Sequence, residues 1–272
     1  MRKLLRTYLP FAANEIKTQL AYRGAVFLWT FISMFSSFIS YFLWMAIYGS
    51  SESGVIGNLT KNEMVVYIFM VYITSSLVSI SISTWIGYDV VEGRVAMNLI
   101  KPIDYRASLI AEAMGDMVYH LVMPGLFIWA GLEAYKVFVL GMPMVSITTV
   151  LLYLCSVLMS FLIYVLFDFC FGMVAFFTTY IFGLRMAKTA LLSFLTGQLI
   201  PISLFPEVAQ RIFDCLPFSS MIYTPVMIYL GKYSGTELLF AMGRQFIWII
   251  ILYWLGNVIW DKVTKRLVVL GG

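Results

Sequence analysis

Apolar residues run through this chain in long blocks separated by short polar clusters, and the blocks have the length of helices rather than strands. The first block is the exception. Across 3–22, Leu5, Leu9, Ala12, Ile16 and Leu20 recur at helical spacing while Arg2, Arg6, Asn14 and Lys17 take other positions, the pattern of an amphipathic elbow helix lying in a bilayer interface. From Ala25 to Tyr48 the sequence is uncharged and aromatic-rich, ending in the turn-forming cluster from Gly49 to Gly54. Further spans are predicted at about 64–86, 108–131, 187–204 and 238–260. Between the third and fifth of these, apolar sequence continues from Val145 to Gly183, too long for one upright span and too short for two. It reads as one long helix broken near Asp168 or Gly172. After the fifth span, prolines bracket a short amphipathic stretch, so 206–225 is expected to stay near the surface and re-enter partway.

Composition agrees with a bilayer. The chain is 61% hydrophobic and 12% charged, with a mean hydropathy of +0.91, whereas soluble domains carry about 25% charged residues. The expected fold class is an all-α integral membrane protein of six transmembrane helices, one transmembrane domain over 1–272 without a built-in ATPase or receptor module. The net charge of +4 reads as topology rather than nucleic-acid affinity. With the N-terminus inside, Arg2, Lys3, Arg6, Lys17, Arg23, Arg94, Lys101, Arg106, Arg185, Lys188, Lys262, Lys265 and Arg266 are cytoplasmic, thirteen of the 18 basic residues, which supports N-in, C-in in a multi-pass plasma-membrane protein. Cys155, Cys170 and Cys215 have no metal-type spacing and there is one histidine, so neither a disulfide framework nor a zinc site is expected. Pro10, Asn14, Glu15, Lys17 and Gln19 interrupt the N-terminal block, which argues against a cleaved signal peptide.

Ionisable residues at bilayer depth are candidates for function because they are costly there. Glu112, Asp116 and His120 lie at i, i+4 and i+8 on the third span, either a proton relay or groups near the interface that pair with Arg106, Arg185 or Lys188, with His120 bonded to a neighbouring helix. Beside them Ala107, Ala111 and Gly115 form an edge that admits close helix packing. Asp168, between two phenylalanines, must mark a break, pair with a base or face a cavity. Ser75, Ser79 and Ser83 make a further ridge, for packing or for a lined pathway. Pro201, Pro206, Pro217 and Pro225 break helices near the exit, where Phe205, Phe213 and Phe218 could form an outer gate or an inert cap.

The segment 87–106 concentrates charge: Asp89, Glu92, Arg94, Lys101, Asp104 and Arg106, with Val90, Val91, Val95, Met97 and Leu99 at helical positions and a stop at Lys101-Pro102. It reads as a coupling helix that docks in a cytoplasmic motor subunit, or as a solvated loop. Glu92-Gly93-Arg94 followed by Leu99-Ile100-Lys101-Pro102 resembles the segment after the second span in permease subunits of type-2 ABC exporters. Thr196 to Glu207, then Leu216-Pro217-Phe218 and Tyr223-Thr224-Pro225, is similar to that family's fifth span and extracellular re-entrant helix. The resemblance implies a dimer of permeases, identical or divergent, driven by separate ABC-type ATP-binding subunits that hold ATP and Mg, with Asp89, Glu92 and Arg94 as motor contacts, Gly93 as their turn and Pro102 as the stop. The sequence has no Gly-x-x-x-x-Gly-Lys-[Ser/Thr] phosphate loop, and Gly231-Lys232-Tyr233 is not one.

The reading is therefore a non-enzymatic export subunit, binding no cofactor itself, that moves an amphipathic drug, lipid-like compound or peptide outward. A proton-coupled transporter using Glu112, Asp116, His120 and Asp168, or a membrane scaffold or sensor, is the alternative. Membrane lipid is an expected partner and nucleic acid is not. Seventeen Met and 22 Phe fit lipid-facing and core packing, with only a hint of an adaptable binding surface.

Overall fold

A computed structural model describes residues 2–51, 54–178 and 182–270. Among the described residues, five helical stretches are long and apolar enough to cross a membrane: Arg23–Gly49, Lys61–Val91, Tyr105–Phe138, Ile147–Phe176 and Gly235–Lys265. The chain begins with α1 (Arg2–Ala21), followed by α2 (Arg23–Gly49), a two-stranded hairpin of β1 (Val55–Ile56) and β2 (Leu59–Thr60), and α3 (Lys61–Val78). Gly57 and Asn58 both adopt positive φ, as the tight hairpin turn requires. Thr60 then starts α3 with a reciprocal cap: its hydroxyl takes the Glu63 N–H while Glu63 takes the Thr60 N–H.

The second stretch is not one helix. α3 stops at Val78 and α4 (Ile82–Val91) begins after a gap, so the predicted serine ridge is divided between two elements. Just before the gap, Ser75 and Ser76 donate to the carbonyls of Tyr72 and Ile73, which competes with the helical ladder. The short α5 (Arg94–Leu99) leads into α6 (Tyr105–His120), where Asp104 accepts the N–H groups of Arg106 and Ala107. A π turn at Leu121–Gly125 joins α6 to α7 (Leu126–Phe138). Pro124 removes a donor there, and Leu126 reaches back to the Leu121 carbonyl. The third stretch thus runs seven residues past the predicted end at 131, and Glu133 and Lys136 lie inside a helix rather than in a connection.

α8 (Ile147–Gly172) passes into a 3-10 turn at Met173–Phe176, so the expected break falls at Gly172 and Asp168 stays helical. A Cβ at Gly172 would stand 2.7 Å from Ile86 Cδ1 and 3.1 Å from Ser83 Cα, which fixes how closely α4 can pack. The predicted span at 187–204 is a shorter helix, α9 (Phe182–Leu195), followed by irregular chain and a 3-10 turn at Ile202–Leu204. Then come α10 (Glu207–Cys215), the fully buried α11 (Tyr223–Tyr229) and the long α12 (Gly235–Leu270).

α8 holds the centre, packed by α3, α4, α11 and α12. Gln245 of α12 clamps this core: its amide nitrogen donates to the carbonyls of Ser156 and Ser220 and to Ser160 Oγ, and its oxygen accepts from Ser156. Full use of a buried amide is what makes it tolerable in an apolar interior. α2, by contrast, leans mainly on α3 and leaves much of its length exposed, as a lipid-facing helix would.

Candidate functional site

Three polar constructions stand out from the apolar bundle. The first is the corner from α4 to α6. Gly93, with φ +70°, turns the chain between α4 and α5, and no atom stands within 4 Å of where its Cβ would be. Conformation, not crowding, calls for glycine there. Asp89 faces inward, accepting from Tyr105 Oη at 2.8 Å and Asn98 Nδ2 at 3.2 Å and pairing with Arg94 at 3.1 Å. Arg94 also reaches Glu92 at 3.1 Å. Glu92 and Arg94 keep about half their side-chain surface exposed (51% and 54%), whereas Asp89 keeps 16%. Pro102 is exposed in the bend before α6.

The second is the acidic ridge of α6, which is built against α1. Gln19 Nε2 donates to Asp116 Oδ1 at 2.7 Å and to Glu15 at 2.9 Å. His120 Nδ1 lies 3.4 Å from Asp116 Oδ1 and 3.0 Å from the Asp116 carbonyl, so among the described residues it bonds within its own helix. Glu112 is half-buried one turn earlier. The expected bases are engaged elsewhere: Arg106 with Asn257 and Asp104, Arg185 with Thr84, and Lys188 with Asp168. At Gly115 a Cβ would stand 2.3 Å from the Ala12 carbonyl oxygen, so the small-residue edge is where α1 docks.

Asp116 and His120 also close one end of a groove of about 660 Å³ between α2, α3 and α9. Ser36, Ser37, Ser40, Ser75, Ser76, Ser79 and Ser193 line it, with Trp29, Trp44, Tyr67 and Tyr72. Sequence reasoning found Ser75 and Ser79 but missed the α2 serines, because they alternate with large apolar residues that face outward.

The third construction is a pair of buried ion pairs. Asp168 takes the Ser83 backbone N–H at 2.7 Å and the Ser83 hydroxyl at 3.1 Å, and it pairs with Lys188, which also donates to Ser83 Oγ at 2.8 Å. Asp168 thus supplies the acceptor that the start of α4 lacks. Among the described residues, no hydrogen bond or ion pair joins it to Asp116 or His120. Near the other end, Glu133 accepts from Lys136 at 2.6 Å, from Val145 N at 3.1 Å and from Tyr229, whose hydroxyl in turn takes the Trp129 indole N–H at 3.0 Å. The sequence hid this site because Glu133 and Lys136 three residues apart look like a polar connection.

Of the gate candidates, Phe205 packs edge-on against Phe213 at 5.2 Å and Phe194 at 5.9 Å, while Phe218 packs on Phe167 of α8 at 5.4 Å. Phe218 thus has a different ring partner from the Phe205–Phe213 pair. Pro201 and Pro217 are buried, and Pro206 is exposed at the start of α10.

Among the described residues, no cluster of three or more His, Cys, Asp or Glu could hold a metal ion. No curated protein matches the chain. A protein-family model described as ABC-2 family transporter protein matches residues 34–271, from α2 through α12. The multi-pass helical bundle and that match over most of its length place the chain in the ABC-2 transporter family, as a membrane permease component.

Proposed function

We propose that this permease is the transmembrane subunit of an ATP-driven exporter in the cell membrane, moving an amphipathic drug, lipid-like compound or peptide outward. ATP and Mg would reside on separate ATP-binding subunits, and a second permease, identical or divergent, would face the open side of the groove. In this reading 1–272 is one permease domain with both termini inside, α1 is the elbow, α9 belongs to a sixth crossing, and the chain from Pro206 to Pro225 is the extracellular re-entrant segment.

The observation that carries the proposal is the continuity of two features on neighbouring elements. α3 walls the groove through Ser75 and Ser76, and α4, following after three residues, ends in the exposed Glu92–Arg94 pair. Glu92 and Arg94 make the motor contacts, Gly93 sets their turn, Pro102 ends the segment, and Asp89 holds the corner rigid from behind. Nucleotide drives transport only by favouring one arrangement of these parts over another. The test is co-purification of an ATP-binding subunit with the wild type and its loss in Glu92→Lys/Arg94→Glu. A double variant that retains both complex and ATP-dependent transport overturns the docking role, and transport in vesicles driven by a proton gradient without ATP overturns the exporter.

A further inference from the structure

The serine-lined groove is polar chiefly in one sense, because back-bonding of helical serines to their own carbonyls leaves their oxygens as acceptors. Ser36, Ser37 and Ser40 of α2, Ser75 and Ser76 of α3 and Ser193 of α9 each donate their proton to a carbonyl three or four residues back in their own helix. Tyr67 and Tyr72 also donate theirs to protein, to the carbonyls of Gly197 at 2.5 Å and Thr30 at 3.2 Å. A hydroxyl has one proton and two lone pairs, so these groups turn acceptor capacity toward the groove. Among the described residues that line it there is no Lys or Arg, and the one carboxylate is Asp116, both of whose side-chain contacts fall on Oδ1. The aromatic faces of Trp29 and Trp44 complete a wall suited to a positive charge.

An anion would meet chiefly lone pairs and a carboxylate there, since the Gln19 amide and His120 Nδ1 are already turned to Asp116, and a neutral hydrocarbon would leave the acceptors unused. Resting on the exporter reading, we infer that the groove is the binding site for an amphipathic organic amine: an ammonium or amine head that donates hydrogen bonds, directed to Asp116 and the serine oxygens, and an aromatic or aliphatic body along Trp44 and Tyr72. A volume of about 660 Å³ matches a drug-sized molecule.

The experiment uses the full chain with its co-purifying subunits in nanodiscs of zwitterionic lipid and reads fluorescence anisotropy of ethidium, a cation with amine donors. Ethidium is expected to bind, fluorescein, an anion of similar size, is not, and tetraphenylphosphonium, a cation without donors, competes about tenfold more weakly. Asp116→Asn weakens ethidium binding about tenfold or more. Because Asp116 also holds Gln19 of α1, a second variant, Ser36→Lys at an exposed position on the groove wall, introduces a cation without disturbing that contact and abolishes binding. Fluorescein binding as tightly as ethidium, tetraphenylphosphonium competing equally well, or ethidium binding unchanged in both variants overturns the inference. A complex that binds ethidium but transports nothing with ATP overturns the exporter reading and leaves the site standing. One that transports another cargo with ATP but does not bind ethidium overturns the site alone.

Discussion

The carboxylate of Asp168 holds the backbone N–H of Ser83 at 2.7 Å across 85 positions of sequence. One side chain of α8 thereby caps a helix that has no cap of its own, since Ser81 makes no side-chain capping bond at the start of α4. Lys188 supplies the balancing charge from α9.

Removing that charge alone is therefore costly. Lys188→Met is expected to destabilise the permease by about 3–5 kcal/mol, because it leaves a buried carboxylate unpaired. Adding Asp168→Asn to it removes the charge while the amide oxygen can still accept from Ser83. The double variant should recover part of the loss in thermal unfolding of the purified protein. A double variant less stable than Lys188→Met would refute this account.

The contact between Gly115 and Ala12 gives a steric prediction. Any side chain at Gly115 collides with the backbone of α1, so Gly115→Val should undock α1 and speed tryptic cleavage after the exposed Arg23. Gly131→Val, where a Cβ meets nothing within 4 Å, serves as the control and should cleave like the wild type.

At the corner, Asp89 and Glu92 have different tasks although they are three residues apart. Asp89→Ala deletes hydrogen bonds from Tyr105 and Asn98 together with an ion pair. Charged hydrogen bonds contribute about 1.5–3 kcal/mol each, so amide exchange over 94–99 should accelerate roughly tenfold or more. Glu92→Ala, which removes a solvent-exposed pairing, should leave exchange within about twofold.

Glu15 ties the docking of α1 to pH. Burial pushes its carboxyl above the ordinary value of 4.5, with the Asp116 charge acting in the same direction against the Gln19 hydrogen bond. Just above that value the folded chain keeps a proton that the unfolded chain has released, so the contribution of Glu15 to stability falls as pH rises through the window. Fluorescence quenching between labels on α1 and α6 should report tighter docking at about pH 5 than at about pH 7. Glu15→Gln, which fixes the neutral form, should flatten that dependence.

Much of this architecture was legible in the chain because bilayer helices announce themselves by length and hydropathy. A helix over Arg2–Ala21, interrupted structure at the prolines after α9 and a turn at the charged corner all fall at the sequence positions that the pattern marks. What the pattern could not reveal were tertiary decisions. The split at Ser79–Ser81 is accompanied by serine back-bonding and by a carboxylate from another helix. Lys188 reads as an interfacial charge until α8 brings Asp168 to it. Glu133 and Lys136 read as a turn because nothing in their own neighbourhood indicates that Tyr229, 96 positions away, completes their hydrogen bonding. The groove escaped notice for a related reason: hydropathy sees a serine as mildly polar and is blind to where its proton goes.

The split between α3 and α4 also has a mechanical side. α4 is fastened to α8 and α9 through Ser83, Asp168 and Lys188 and packs tightly on Gly172, while only three residues, 79–81, tether it to α3. On the proposed docking, a push on the Glu92–Arg94 tip would pass into α8 and α9 through Ser83, Asp168 and Lys188 as well as into α3. Since α9 forms one wall of the groove and α3 another, such a stroke would shift one wall against the other, with the joint at 79–81 as its fulcrum.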